Sequence, residues 1–173
     1  MDEVILVNAE DQPIGTSEKM RAHENPAKRH RAFSVFVFNN HDELLLQRRG
    51  LKKKTWPGFW SNTCCSHPRP NEDTEQAAQR RLREELGFTC PLTFLFKFEY
   101  SARYDDTYGE HEVDWVFVGT YNEQVAPDDK EIEETRFTDI ATLRNDMAQH
   151  PERYTPWFLD CFERVLAEHR NKT

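Results

Sequence analysis

Short apolar runs separated by polar turns cover most of the chain, and one stretch switches from a period of two to a period near four. Glu3–Val7 is an apolar run followed by polar residues that include Pro13 and Gly15, which predicts a strand and then a turn. Phe33–Phe38 and Glu43–Gln47 are rich in β-formers, and the Asn39-Asn40-His41-Asp42 segment between them has turn chemistry, so a hairpin is expected. Asp73 or Thr74 is placed to cap a helix that runs to Leu86 and stops at Gly87, a residue suited to a left-handed C-terminal cap. Ala78, Leu82 and Leu86 lie four apart and mark its buried stripe. Phe94–Tyr100 and Glu112–Val118 alternate apolar with other residues and read as strands, and Arg136–Phe137 adds a short one. Thr155 and Pro156 start a helix over Trp157–His169, with proline at its first position. No repeat, low-complexity tract or linker divides these elements. The pattern predicts a single α+β domain over 1–173, with strands interrupted by a central helix and closed by C-terminal helices.

Composition narrows the function. A length of 173 residues suits one core. No apolar run approaches the roughly 20 residues of a membrane span, and the first residues carry acids where a secretion signal carries bases. A cytoplasmic protein with no membrane contact is expected, and a monomer, since no long apolar surface stripe is evident. A net charge of −8 disfavours nucleic acid as a partner, so a phosphate-bearing ligand needs a local basic pocket or a metal. Cys64, Cys65, Cys90 and Cys161 lack CxxC spacing, and free thiols are expected.

Candidate chemistry concentrates in three segments. In Glu110-His111-Glu112-Val113-Asp114-Trp115-Val116-Phe117, strand alternation puts Glu110, Glu112 and Asp114 on one face, successive carboxylates roughly 7 Å apart. Burying that face calls for a cation to offset repulsion and desolvation; a solvated acidic face is the alternative. His23, His30 and His67 are available, and imidazole with carboxylate suits zinc, manganese or another divalent ion. Pro26 makes one helix through His23 and His30 improbable, so both are expected on an irregular loop.

In Arg80-Arg81-Leu82-Arg83-Glu84-Glu85-Leu86-Gly87, helical spacing brings Arg81 beside Glu85 while Glu84 faces elsewhere. This is either an exposed ion-pair face or a site where Glu85 holds Mg²⁺ beside a phosphate. The run resembles the end of the Nudix box, a helix that presents carboxylates to magnesium on a diphosphate. It departs from the box at Arg81, which replaces a glutamate, and at Ser66, which replaces the opening glycine. Those departures weigh against diphosphate hydrolysis while keeping a metal.

The third segment is Trp56-Pro57-Gly58-Phe59-Trp60-Ser61-Asn62-Thr63-Cys64-Cys65-Ser66-His67-Pro68. It resembles the signature of the type 1 isopentenyl-diphosphate Δ-isomerases, with a cysteine two before a histidine after a Trp–x–Asn turn. Tyr108-Gly109-Glu110-His111-Glu112 is similar to that family's second signature, and further matches from Lys19 to Trp157 fall in the same order. The resemblance implies a Nudix-like mixed β-sheet with a central helix. It implies interconversion of isopentenyl and dimethylallyl diphosphate by protonation and deprotonation through a carbocation-like intermediate. By the same resemblance His23, His30, His67, Glu110 and Glu112 match ligands of a tightly held zinc or manganese ion. Glu85 matches the ligand of Mg²⁺ arriving with the diphosphate, and Lys19, Arg49, Lys53 and Arg81 match basic residues around it. Cys65, Tyr100, Glu112 and Trp157 match the groups around the reacting hydrocarbon. Arg49 and Lys53 stand in Gln47-Arg48-Arg49-Gly50-Leu51-Lys52-Lys53-Lys54, the most basic stretch of an acidic chain, ordinarily a solvated surface. Without the resemblance, Trp157 reads as a core tryptophan and Cys65, like Cys64, as a small buried hydrophobe. As a base, Cys65 calls for a lowered thiol pKa. A Nudix-type hydrolase and a catalytically silent metal- or partner-binding domain are the rival readings.

Overall fold

The structure, a computed structural model, describes residues 2–172; Met1 and Thr173, the two ends of the expected 1–173 domain, lie outside the described residues. The elements in chain order are β1 (Glu3–Val7), β2 (Pro13–Glu18), α1 (Lys19–His23), β3 (His30–Phe38) and β4 (Leu44–Arg49). Then come β5 (Trp60–Ser61), β6 (Cys64–Ser66), α2 (Thr74–Leu86), β7 (Leu92–Arg103) and β8 (Gly109–Thr120). The chain ends with β9 (Ile132–Thr138), α3 (Ile140–Gln149) and α4 (Pro156–Lys172).

β3 is the hub of the mixed sheet. It runs parallel to β8 from His30↔Glu112 to Phe38↔Thr120 and antiparallel to β6, and it touches β1 and β4 near its two ends. Nearly every β3 residue is buried, as a parallel strand covered on both faces requires. Phe36 and Phe38 join Val116, Phe158, Phe162 and Val165 on the α4 side. Phe33, Val35 and Val37 join Phe117, Ala78, Leu82 and Leu86 on the α2 side. Period-two alternation therefore feeds two cores, one against each helix.

The expected hairpin holds only at its turn. Phe38 pairs with Leu44, after which β4 leaves to pair with β9 while β6 and β8 flank β3. The helix ends fall where expected: Asp73 accepts from the backbone N–H groups of Glu75 and Gln76, and Gly87 takes φ 77°. The segment containing Pro13 and Gly15 is a strand, not a turn. β2 buries no residue, so it carries no apolar alternation, and Pro13 at its start costs no ladder bond there.

At Gly119 a Cβ would stand 2.6 Å from Cys90 Sγ and 3.0 Å from the Pro91 carbonyl oxygen. Gly119→Ala is expected to cost about 1–3 kcal/mol by overpacking, read from chemical denaturation. A fully stable variant would contradict the β7–β8 register at Leu92↔Gly119.

Candidate active site

Strand register assembles the site on one face. The β3–β8 pairing sets His30 beside Glu112 and Ala32 beside Asp114; β7 sets Tyr100 beside Glu112. β6 sets Cys65 beside Ser34. These side chains share the face that further along carries Phe36 and Val116, so this wall continues the α4-side core. α1 ends in His23, and Trp157 stands in the first turn of α4. They enclose a cavity of about 230 Å³ lined by Cys65, Tyr100, Glu112 and Trp157, with Lys19 and Lys53 among its basic residues.

His23 and His30 are not on an irregular loop. His23 closes a short helix capped by the Glu18 carboxylate, and His30 opens β3; only residues 24–29 between them, around Pro26, are irregular. Pro26 does forbid one continuous helix, but each histidine sits at the edge of a regular element.

The imidazole Nε2 atoms converge on one carboxylate. Glu112 Oε1 lies 3.2 Å from His30 Nε2, 2.8 Å from His67 Nε2 and 3.8 Å from His23 Nε2. Its other oxygen, Oε2, accepts from the Tyr100 hydroxyl at 2.5 Å. Glu110 Oε2 is 2.9 Å from His23 Nε2. The Nδ1 atoms of His23 and His30 face the carbonyl oxygens of Lys19 and Lys28, each at 2.7 Å. A carbonyl only accepts, so both Nδ1 atoms carry a proton and both Nε2 atoms point into the cluster. The ligand atoms of His23, His30, His67 and Glu112 all lie within 4.8 Å of one another.

These residues fit a divalent metal. Three imidazoles and a carboxylate, nearly all buried, bring one ligand atom each to one spot, and a cation there would displace the proton that the carboxylates otherwise hold on His23. Glu110 Oε2 and His67 Nδ1 are buried without a properly aligned hydrogen-bond partner, so protons alone leave the cluster incompletely satisfied. Glu110 was expected among the ligands and borders the four that converge; its Oε2 contact is to His23.

Burial is the largest influence on Glu112 and pushes its carboxyl up, but the close His30 and His67 rings outweigh it and hold the group well below the usual carboxylate range. Burial and then the Glu112 charge raise Glu110, and the same two causes hold Asp114 well above its ordinary value. Burial pushes His23 down, yet Glu110 and Glu112 prevail and raise it to about 9. Burial takes His67 down to about 3 against the pull of Glu112. Tyr100 is driven far up by burial and then by Glu112, which keeps its hydroxyl a donor. Carboxylates on one strand face are thus driven in opposite directions, Glu112 down and its neighbours Glu110 and Asp114 up, with Asp114 accepting from Ser34 Oγ at 2.7 Å.

The thiol lies on a separate wall. Cys65 Sγ accepts from Trp157 Nε1 at 3.2 Å and donates to Asn62 Oδ1 at 3.0 Å. Burial first, then Asp114, pushes this thiol up to about 12, so the protein's own groups do not supply the lowered value a resting base calls for. Trp157 is 3% exposed and yet lines the cavity, so it is both a core residue and a site residue. Arg49 lies 5.2 Å over its ring and donates to the carbonyl oxygens of Thr55 and Trp56, fastening the Lys-rich loop to α4.

The basic wall is charge-balanced by Glu85, as its spacing from Arg81 suggested, and also by Glu84 and Glu131. Lys53 pairs with Glu131; Arg81 pairs with Glu85, with Glu84 at 2.8 Å and with Glu131 at 3.7 Å. Glu84 therefore does not face away from Arg81. Burial, then the nearby Lys53 and Arg81 charges, pushes Lys19 down. Gly50 donates its N–H to the Glu131 carbonyl at 2.8 Å, which brings residue 131 to the site across 81 positions. Glu131 had no motif to mark it, and Asn62 stood in a quoted signature without an assigned role. Cys64, Cys90 and Cys161 are buried free thiols, as expected.

Fold and site together define a NUDIX-domain protein, and residues 28–158 match the NUDIX domain. Solved structures share that fold: a protein from Deinococcus radiodurans aligns with a TM-score of 0.78 at 17% identity, covering 94% of this chain and 98% of its own. A MutT protein from Methanosarcina mazei aligns with a TM-score of 0.66 at 21% identity, covering 84% and 96%. Closer in sequence is an isopentenyl-diphosphate Delta-isomerase of Burkholderia multivorans, 46% identical over 164 residues, 95% of this chain and 93% of the relative. Another, from Halorhodospira halophila, is 46% identical over 160 residues, 91% of each. The chain belongs to the isopentenyl-diphosphate Delta-isomerase family.

If the Nε2 cluster holds the ion, the protein purified with metal retains it through dialysis, and His30→Ala or His67→Ala releases it. Elemental analysis checks this. Full metal retention in both variants would contradict the assignment.

Proposed function

We propose that this protein interconverts isopentenyl diphosphate and dimethylallyl diphosphate, adding a proton at one end of the allylic unit and removing one at the other. The observation that carries the reading is the single cavity onto which the Cys65 thiol and the Glu112–Tyr100 pair both open. An isolated alkene is a poor base, so its protonation calls for an acid on one side, a base on the other, and no water to trap the cation.

Tyr100 and Glu112 share a hydrogen at 2.5 Å and form the proton-handling group on the β7–β8 wall. His23, His30, His67 and Glu112, with Glu110 beside them, would hold the tightly bound ion, zinc or manganese by donor type. When bound, that ion supplies Lewis acidity that makes the adjoining carboxyl–phenol pair a stronger proton donor. Cys65 handles the other proton from the β6 wall. Trp157 contributes π density to the developing positive charge, worth about 2 kcal/mol in a desolvated site, and with Tyr100 keeps that end of the cavity dry.

Lys19, Arg49, Lys53 and Arg81 receive the diphosphate. Glu85 would hold the Mg²⁺ that accompanies it, once the Arg81 guanidinium turns from Glu85 toward phosphate oxygens. Glu131 then remains as counter-ion for Lys53 and Arg81. The net charge of −8 leaves this wall as the local attraction for a small anionic substrate.

Turnover of isopentenyl diphosphate with Mg²⁺ in heavy water, followed by NMR, is expected to place deuterium in dimethylallyl diphosphate. Cys65→Ala is expected to abolish that turnover with metal content and fold intact. Release of inorganic phosphate would establish a hydrolase instead, and unchanged substrate a silent binding domain. Near-normal isomerisation by Cys65→Ala would remove the thiol from the reaction.

A further inference from the structure

Three buried polar residues beside Cys65 are absent from the proton-transfer scheme. Ser61, Asn62 and Thr155 are each fully buried, and none carries charge. Asn62 Nδ2 donates to the Val35 and Cys64 carbonyl oxygens, both at 3.1 Å. Carbonyls only accept, so the amide nitrogen is fixed on that side and Oδ1 is turned toward Ser61 and Cys65. Oδ1 in turn only accepts. At 3.0 Å from Cys65 Sγ it therefore takes the thiol hydrogen.

The sulfur's surroundings are then nearly determined. Its hydrogen points to Asn62 Oδ1, one lone pair receives the Trp157 Nε1–H at 3.2 Å, and Ser61 Oγ stands 3.7 Å away. The same indole N–H reaches Ser61 Oγ at 3.1 Å, and Ser61 Oγ lies 3.0 Å from Asn62 Oδ1 and 2.9 Å from Thr155 Oγ1. The network ties β5, β6 and the start of α4 into one rigid frame around a side chain that otherwise has one soft rotor. A cysteine in an apolar pocket lacks this constraint, since its S–H is a weak donor that turns freely.

We propose that Asn62 is the positioning residue of the thiol: by accepting the S–H it fixes the Cys65 rotor in one resting orientation, from which the hydrogen passes to the substrate carbon and leaves a thiolate held by the Trp157 Nε1–H, the reverse transfer returning it to the same place. Ser61 and Thr155 hold Asn62 and Trp157 in place for that purpose. The functional consequence rests on proton transfer at Cys65; the orientation does not. Without Asn62 the S–H samples other rotors and its transfer to or from the substrate carbon loses alignment, while the basic and histidine walls of the cavity are untouched. The defect therefore falls on kcat and spares KM.

Infrared difference spectra of the wild type against Cys65→Ser isolate the Cys65 S–H stretch, which a hydrogen bond to a carbonyl oxygen shifts to lower frequency. The wild type is expected to show the shifted band, and Asn62→Ala is expected to return it to the free-thiol position. With isopentenyl diphosphate as substrate, Asn62→Ala is expected to lose about 100-fold in kcat with KM and retained metal as in the wild type. A free-thiol band in the wild type overturns the proposal whether or not Asn62→Ala folds. So does a folded Asn62→Ala variant with unchanged kcat, or one whose loss lies in KM alone. A wild type inactive toward isopentenyl diphosphate refutes the isomerase reading instead, and the band still decides the orientation.

Discussion

The Glu112 carboxylate is buried at the end of a sheet and shares its two oxygens between different partners. Oε1 faces the imidazole nitrogens and Oε2 takes the Tyr100 hydroxyl. A charge so placed is costly unless every lone pair is met. Meeting them fixes His30 through the parallel register of β3 and β8, Tyr100 through the β7–β8 ladder, and His23 through α1. Shifting either ladder by one residue would turn these side chains to the opposite face, where Leu82 and Phe117 form an apolar core. The chemistry thus depends on the same alternation that fills the two cores.

Charge is handled differently on each wall. The histidine wall gathers imidazoles and carboxylates that could hold a divalent cation. The basic wall, proposed for the diphosphate, gathers cations paired with Glu85 and Glu131. Between them the thiol wall is neutral, made of hydroxyls, an amide and an indole. A cation forming in this space meets π density and a thiol, with no strong nucleophile among the groups Cys65 touches. The departure from the Nudix box at Arg81, where a glutamate is usual, adds a cation to the basic wall and removes a carboxylate from the helix.

Legibility from sequence followed side-chain burial. Helix α2 was readable to its caps because Asp73, Leu82 and Gly87 each obey a local rule, and strands β7 and β8 were readable through alternation. β2 escaped because none of its residues is buried, and α1 because five residues show no period. Site residues in quoted signatures came together: His67 and Cys65 lie on neighbouring walls of one cavity with Glu112. The loop assigned to His23 and His30 was wrong because Pro26 bounds regular elements without occupying one. Glu131 was invisible, since long-range contacts bring it near Lys53: the Arg49↔Ile132 pairing of β4 with β9 and the Gly50 contact, tight enough that a Cβ there would stand 2.9 Å from the Glu131 oxygen. The thiol's upward shift to about 12 was equally hidden, because it arises from burial and from Asp114 across the sheet.

What binds these observations is a hydrocarbon-sized space with a thiol at one boundary and a carboxyl–phenol pair at another. A crystal structure with Mg²⁺ and an unreactive five-carbon diphosphate analogue measures this directly. The account predicts the hydrocarbon lodged between Cys65 Sγ and the Glu112–Tyr100 pair, with its phosphates against Lys53 and Arg81. An analogue whose phosphates sit on that wall while its hydrocarbon points to solvent, touching neither the sulfur nor Tyr100, would contradict it.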